Sequence, residues 1–151
     1  MTAAVLLIGI GNIYRSDDGI GIIIARRLRK EKPAGVRIFE QTGEGAALIE
    51  AWQGAKRVLV IDAVQSGARP GTIHRLDARA QRVPAEFFHY STHAFSLAEA
   101  IELARVLEQL PKQLIVYGIE GKNFGAGNEL SPEVTAAAVE LMKRLREDLP
   151  S

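Results

Sequence analysis

Hydrophobic residues fall along the chain with two periods. Runs of Val, Ile and Leu at Val5–Ile10, Val36–Glu40, Val58–Ile61 and Leu114–Gly118 are apolar at successive positions. An extended segment of that kind is apolar on both faces, the pattern of strands in a parallel sheet covered by helices. A weaker run, Thr72–Leu76, alternates apolar and polar residues after Arg69-Pro70-Gly71. It predicts an edge strand entered from a turn. Between the runs the spacing becomes helical. Ile20, Ile23, Ile24 and Leu28 form one stripe, and Leu48, Ile49 and Trp52 a second. Phe95, Ala98, Ile101, Leu103 and Val106 form a third. The last helix is the best bounded, with Ser131 as N-cap, Pro132 in the first turn and Val134, Ala138, Leu141 and Leu145 on one face. Strands alternating with helices predict an α/β fold, a three-layer α/β/α sandwich around a mostly parallel sheet.

That order says where chemistry can sit. A helix runs antiparallel to the strand it follows, so strand carboxyl ends and helix amino ends share one edge of the sheet. The loops at that edge are Gly11–Asp18, Gln41–Gly45, Asp62–Gly67 and Glu120–Gly127. Ser91-Thr92-His93 lies at the amino end of the helix that leads into the last strand. Asp18, Asp62 and His93, remote in sequence, are therefore expected on one rim.

Composition narrows the choice of function. The chain has 151 residues without a linker, repeat or low-complexity stretch, so 1–151 reads as one domain. Hydrophobic residues make up 47% and charged residues 25%, as in ordinary globular proteins. A formal net charge of +1 implies no nucleic acid or other polyelectrolyte partner. The cluster Arg26-Arg27-Leu28-Arg29-Lys30 reads as the solvated carboxyl end of a helix, where cations suit the dipole. There is no cysteine, which excludes disulfides, thiolate metal sites and a cysteine nucleophile. Val5–Ile8 is too short for a signal core, and no apolar run approaches the ~20 residues that span a bilayer. The expectation is a cytoplasmic protein with no membrane anchor. No long exposed apolar stripe is evident, which favours a monomer.

The stretch Gly9-Ile10-Gly11 after the first strand poses a choice between a phosphate-binding turn and a loop that presents acids. A dinucleotide fingerprint needs a third glycine three residues beyond the second, and that position is Tyr14. Asp17 and Asp18 would then face phosphates at a helix amino end, where an anion is meant to bind. Glu40, at the end of the second strand, is the one feature on the nucleotide side, in the place of a ribose-binding acid. The acid-presenting reading is preferred, with Ser16 or Asp17 capping the helix and Asp18 pointing into the cleft. Asp62 tips a buried strand, a costly place for a carboxylate unless it is bonded or used. Of the three histidines, His74 sits beside Arg75 on the weak strand and reads as solvated, and His89 between Phe88 and Tyr90 reads as packing. His93, at a positive helix end, is expected to stay neutral and able to bind a metal. Two carboxylates and an imidazole suit a borderline divalent cation with positions left open. No serine triad is readable: Ser91 lies two residues from His93 and nothing orients one to the other.

Taken together, these blocks resemble the endopeptidases that mature nickel–iron hydrogenases. The resemblance rests on Gly9-Ile10-Gly11-Asn12, Ser16-Asp17-Asp18-Gly19-Ile20-Gly21 and Val60-Ile61-Asp62-Ala63. It continues through Pro70-Gly71-Thr72, Ser91-Thr92-His93 with Ser96-Leu97, Val116-Tyr117-Gly118-Ile119-Glu120 and Leu130-Ser131-Pro132. The blocks occur in order over nearly the whole chain. The resemblance implies a five-stranded mixed sheet in order 2-1-3-5-4 with strand four antiparallel. It implies metal-contacting and catalytic roles for Asp18, Asp62 and His93. It also implies one cut near the carboxyl end of a nickel–iron hydrogenase large-subunit precursor, with the nickel supplied by that client. One departure stands out. Many relatives carry an Asp-Gly-Gly-type loop after strand two, and this chain has Glu40-Gln41-Thr42-Gly43-Glu44, a segment expected to help recognise the client. Two rival readings are a nickel-checking chaperone that binds the precursor without cutting it, and a nucleotide- or nucleoside-binding α/β domain.

Overall fold

A computed structural model describes residues 4–88 and 93–149. Five strands, β1 (Val5–Ile10), β2 (Val36–Gln41), β3 (Arg57–Val64), β4 (Ile73–Asp77) and β5 (Gln113–Glu120), alternate with four helices. The helices are α1 (Ile20–Glu31), α2 (Gly45–Trp52), α3 (Leu97–Val106) and α4 (Pro132–Asp148). Short 3-10 turns at Ser16–Gly19 and Ala85–Phe88 precede α1 and α3. The strands form one sheet in the order β2-β1-β3-β5-β4. All neighbours are parallel except β4, which runs antiparallel to β5. This is the mixed sheet and strand order that the family resemblance implies.

Strand alternation divides the core in two. Val5, Leu7, Leu59, Ile61, Ile115 and Tyr117 pack beneath α1 and α4, against Ile24, Leu28, Ala138 and Leu141. Leu6, Ile8, Val58, Val60, Leu114 and Val116 face α2 and α3, against Leu48, Trp52, Leu97 and Ile101. Strands β1, β3 and β5 are buried nearly throughout, as their two-sided apolar character requires. The β2 segment differs from expectation. It lies at the sheet edge and is largely half-buried, because only β1 flanks it.

Two further boundaries differ in ways that matter for the site. β3 extends to Val64, so Asp62 is inside the strand rather than in the loop beyond it. Opposite β1 the ladder ends at Gly9 and Ile61, while opposite β5 it continues through Asp62 and Gly118. Asp62 is thus held on one side and faces the gap beyond β1 on the other. The α3 cap is Ser96, not Ser91-Thr92, which lie outside the described residues with His89. Ser96 forms a capping box with Glu99, its backbone N–H and hydroxyl both donating to Oε1 at 3.0 and 2.6 Å. His93 therefore stands in the loop three positions before the cap, one turn further from the helix dipole than the spacing predicts.

Candidate active site

The sheet order reverses between β1 and β3, and a crevice opens at the carboxyl ends of these strands, where open α/β sheets bind ligands. It is a cleft of about 690 Å³, and Asp18, Asp62 and His93 all line it. Three separate stretches of chain deliver them. Asp62 has the same strand parity as Val58 and Val60, which places it on the α2 and α3 side of the sheet. It is 5% exposed, and its Oδ1 accepts the N–H of Ala63 at 2.8 Å. Asp18, 6% exposed, comes over the end of β1 from the turn before α1. His93 approaches from the loop before α3 and lies beside Gly43, whose missing side chain leaves the imidazole Cδ2 3.9 Å from the position of a Cβ. Gly43 has φ +103, so a side chain there meets both a disfavoured backbone and the Ile10 methyl at 3.1 Å.

The end of β2 and the loop after it form a further wall, which His93 meets at Gly43. Glu40, Gln41, Thr42 and Gly43 line the cleft with Arg26 of α1. Glu40 is bound by two arginines: Arg26 donates through Nε and Nη2, and Arg29 Nη1 lies 2.7 Å away. The Arg26 hydrogen bonds hold the Glu40 carboxyl below its ordinary range, and the Arg29 bond adds to them. Glu40 is thus the acid partner of the basic helix end, not the ribose ligand that its position suggested. Glu44 caps α2 by accepting the N–H groups of Ala46 and Ala47, each at 2.9 Å. The Ala46 bond, followed by the Ala47 bond, lowers its pKa, with the nearby His93 as a smaller cause.

Several expectations need correction. Neither Ser16 nor Asp17 caps α1, whose N-cap is Gly19 with no side-chain bond. Asp17 instead faces the loop between β5 and α4, where it accepts from Lys122, Asn123 and Ser131. Ser131 is the N-cap of α4 by position, but its hydroxyl donates to Asp17 rather than capping its own helix. His74 is not solvated: it lies 3.1 Å from the buried Glu120 and its ring stacks at a tilt on Phe87. Glu120 also accepts the N–H and hydroxyl of Ser66. Tyr14 and Arg15 line the cleft from within the Gly11–Asp18 loop expected at this edge, whereas Ile22 and Arg26 of α1 lie outside every loop expected there. Arg26 was the readable one, since α1 lies over β1 and β2 and brings its basic end to the acid of β2. Among the described residues, no group of three or more His, Cys, Asp and Glu side chains is gathered closely enough to hold a metal ion. Among them also, no helix is long and apolar enough to cross a membrane.

Buried carboxylates, an imidazole and a walled cleft at a sheet switch point define a hydrolytic or ligand-recognising α/β protein. Comparison with known proteins narrows this class. The model of the hydrogenase maturation protease family, HycI, matches residues 22–147. The chain is 29% identical over 151 residues to the hydrogenase 2 maturation protease of Escherichia coli strain K12, covering 95% of this chain and 91% of that one. It is 27% identical over 151 residues to the hydrogenase expression/formation protein HupD of Rhodobacter capsulatus, covering 94% and 71%. The solved structure of the hydrogenase maturating endopeptidase HybD from E. coli aligns with a TM-score of 0.76 at 28% identity, over 98% of this chain and 94% of that one. The chain belongs to the hydrogenase maturation protease family. Characterised members of that family are C-terminal processing endopeptidases of hydrogenase large-subunit precursors.

Proposed function

We propose that this protein removes the C-terminal extension of a nickel–iron hydrogenase large-subunit precursor after nickel insertion, and that Asp18, Asp62 and His93 are the residues that do so. The supporting observation is their convergence: three side chains remote in sequence line one cleft. The nickel belongs to the client and enters as part of the substrate. Two carboxylates and an imidazole are donor types that suit a borderline divalent cation, although in the free protein they line the cleft without being gathered into a metal site of their own. They leave coordination positions for the groups that the client brings.

The chain itself supplies a pair of carboxylates held in partly desolvated surroundings. With His93 they would meet the client's metal, and a carboxylate not engaged by it would be placed to take a proton from the water that attacks the scissile carbonyl. Nickel carried by the client and met by these side chains would supply Lewis-acid polarisation of that carbonyl, or serve as the docking point alone. The wall formed by Arg26, Glu40, Gln41 and Thr42 then flanks the bound segment and contributes to client choice.

Incubation of purified precursor with Asp18→Asn, Asp62→Asn and His93→Ala tests the assignment. Each variant should keep the native fold by circular dichroism and leave the precursor at full mass. Processing at the wild-type rate by all three would refute the assignment. Binding of the precursor without any mass loss by the wild-type protein would instead favour the non-cleaving chaperone.

A further inference from the structure

Asp17 and Asp18 are adjacent and both buried, yet only Asp18 lines the cleft. Asp17 is 0% exposed and its carboxylate is turned the other way. Its Oδ2 accepts the N–H of Lys122 at 2.8 Å, the N–H of Asn123 at 2.9 Å and the hydroxyl of Ser131 at 2.9 Å. Its Oδ1 accepts the N–H of Ser131 at 2.8 Å.

Backbone bonds join the same two loops. Asp17 N–H donates to Asn123 at 3.0 Å, Ser16 N–H to Gly127 at 2.8 Å, and Gly127 N–H to Tyr14 at 3.0 Å. The Ser16 hydroxyl donates to Gly125 at 2.9 Å. Ser16 itself has φ +53, a left-handed conformation that a side chain disfavours. It persists because the bonds on either side of it fix the chain.

We propose that Asp17 is a positioning residue for the reaction: its clasp on the 122–131 loop sets the turn at Ser16 and thereby decides that Asp18 faces the cleft. Capping needs neither this burial nor four donors, and Asp17 caps no helix of its own. The clasp ties the first site loop to a segment more than a hundred positions away, so the loop is braced from outside the cleft. A neutral Asn at 17 keeps one acceptor oxygen and points an amide toward groups that are themselves donors. The turn then loses its anchor, and Asp18 loses its fixed direction. Positioning of this kind is worth much in rate, since small displacements of a reacting group are costly. The proposal rests on the assignment of Asp18 to the site.

Two measurements on the full chain test it, with Asp17→Asn and the milder Ser131→Ala. The first is steady-state processing of nickel-loaded precursor, corrected for the folded fraction. The expected result is a fall in kcat of about 10- to 100-fold for Asp17→Asn, and a smaller fall for Ser131→Ala, with KM changed less than about twofold. The second is NMR of the carboxyl and amide resonances of Asp18 and Asp62, with shifts expected at Asp18 and none at Asp62. If Asp17→Asn does not fold, Ser131→Ala decides. Wild-type kcat in the folded variants, or an Asp18 spectrum unchanged from wild type, would overturn the proposal. If the wild-type protein does not cut the precursor, the functional reading fails and the Asp18 resonances alone decide the positioning claim.

Discussion

Gly9 of β1 and Gly21 of α1 meet backbone to backbone: a Cβ built on Gly9 would lie 2.2 Å from the carbonyl oxygen of Gly21. The reverse addition is no easier, since a Cβ on Gly21 would lie 2.3 Å from the carbonyl oxygens of both Ile10 and Ile61. The glycines that looked like part of a phosphate loop therefore serve close helix–sheet packing. This contact lowers α1 onto the sheet and brings the turn with Asp18 over the end of β1. Gly21→Ala should destabilise the protein by about 1–3 kcal/mol or more, the cost of forcing a methyl into a packed interior. Urea unfolding of the variant against wild type measures it, and a midpoint equal to wild type would show that the helix can lift without cost.

Glu44 should make the cap of α2 sensitive to acid. Its folded pKa lies below the ordinary 4.5, first because of the Ala46 N–H and then the Ala47 N–H. A depressed carboxyl pKa gives stability that is fully present above the unfolded value and is lost as pH falls through the folded one. The thermal midpoint of wild type should therefore exceed that of Glu44→Gln at neutral pH. The difference should shrink as pH is taken below about 4.5. Midpoints measured across that range check this, and a difference that stays constant with pH would assign the effect to something other than the charged cap.

The Arg26–Glu40 pair should matter more for the client than for the fold. Its side chains are 50% and 27% exposed, so the pair sits at a solvent-accessible rim. Removing such a solvent-screened pair changes stability little. Arg26→Ala should accordingly unfold near the wild-type midpoint while raising KM for the precursor, with kcat little changed. A fall in kcat at constant KM would place Arg26 in the chemical step instead.

Much of this arrangement was legible in the sequence, and the legible parts share a cause. Strands β1, β3 and β5 are apolar on both faces because helices cover both, and a two-sided run needs only local spacing to read. The placement of Asp18, Asp62 and His93 at one edge followed from the rule that strand ends and helix starts share a rim. What escaped reading depended on partners far away. The Asp17 clasp needs a loop more than a hundred positions downstream, and two adjacent acids before a helix look locally like caps. His74 looked exposed beside Arg75 because its partner, Glu120, lies on the neighbouring strand. The Ser96–Glu99 box was present in the sequence but was masked by the Ser-Thr pair upstream, which made His93 seem part of the helix start.

Asp18, Asp62 and His93 are proposed to act on a client through the nickel that it carries. The most direct measurement is the mass of the large-subunit precursor after incubation with this protein, once with nickel inserted and once without. Loss of the C-terminal peptide is expected from the nickel-loaded precursor alone. Equal cutting of the nickel-free precursor, or no cutting of either, would contradict it.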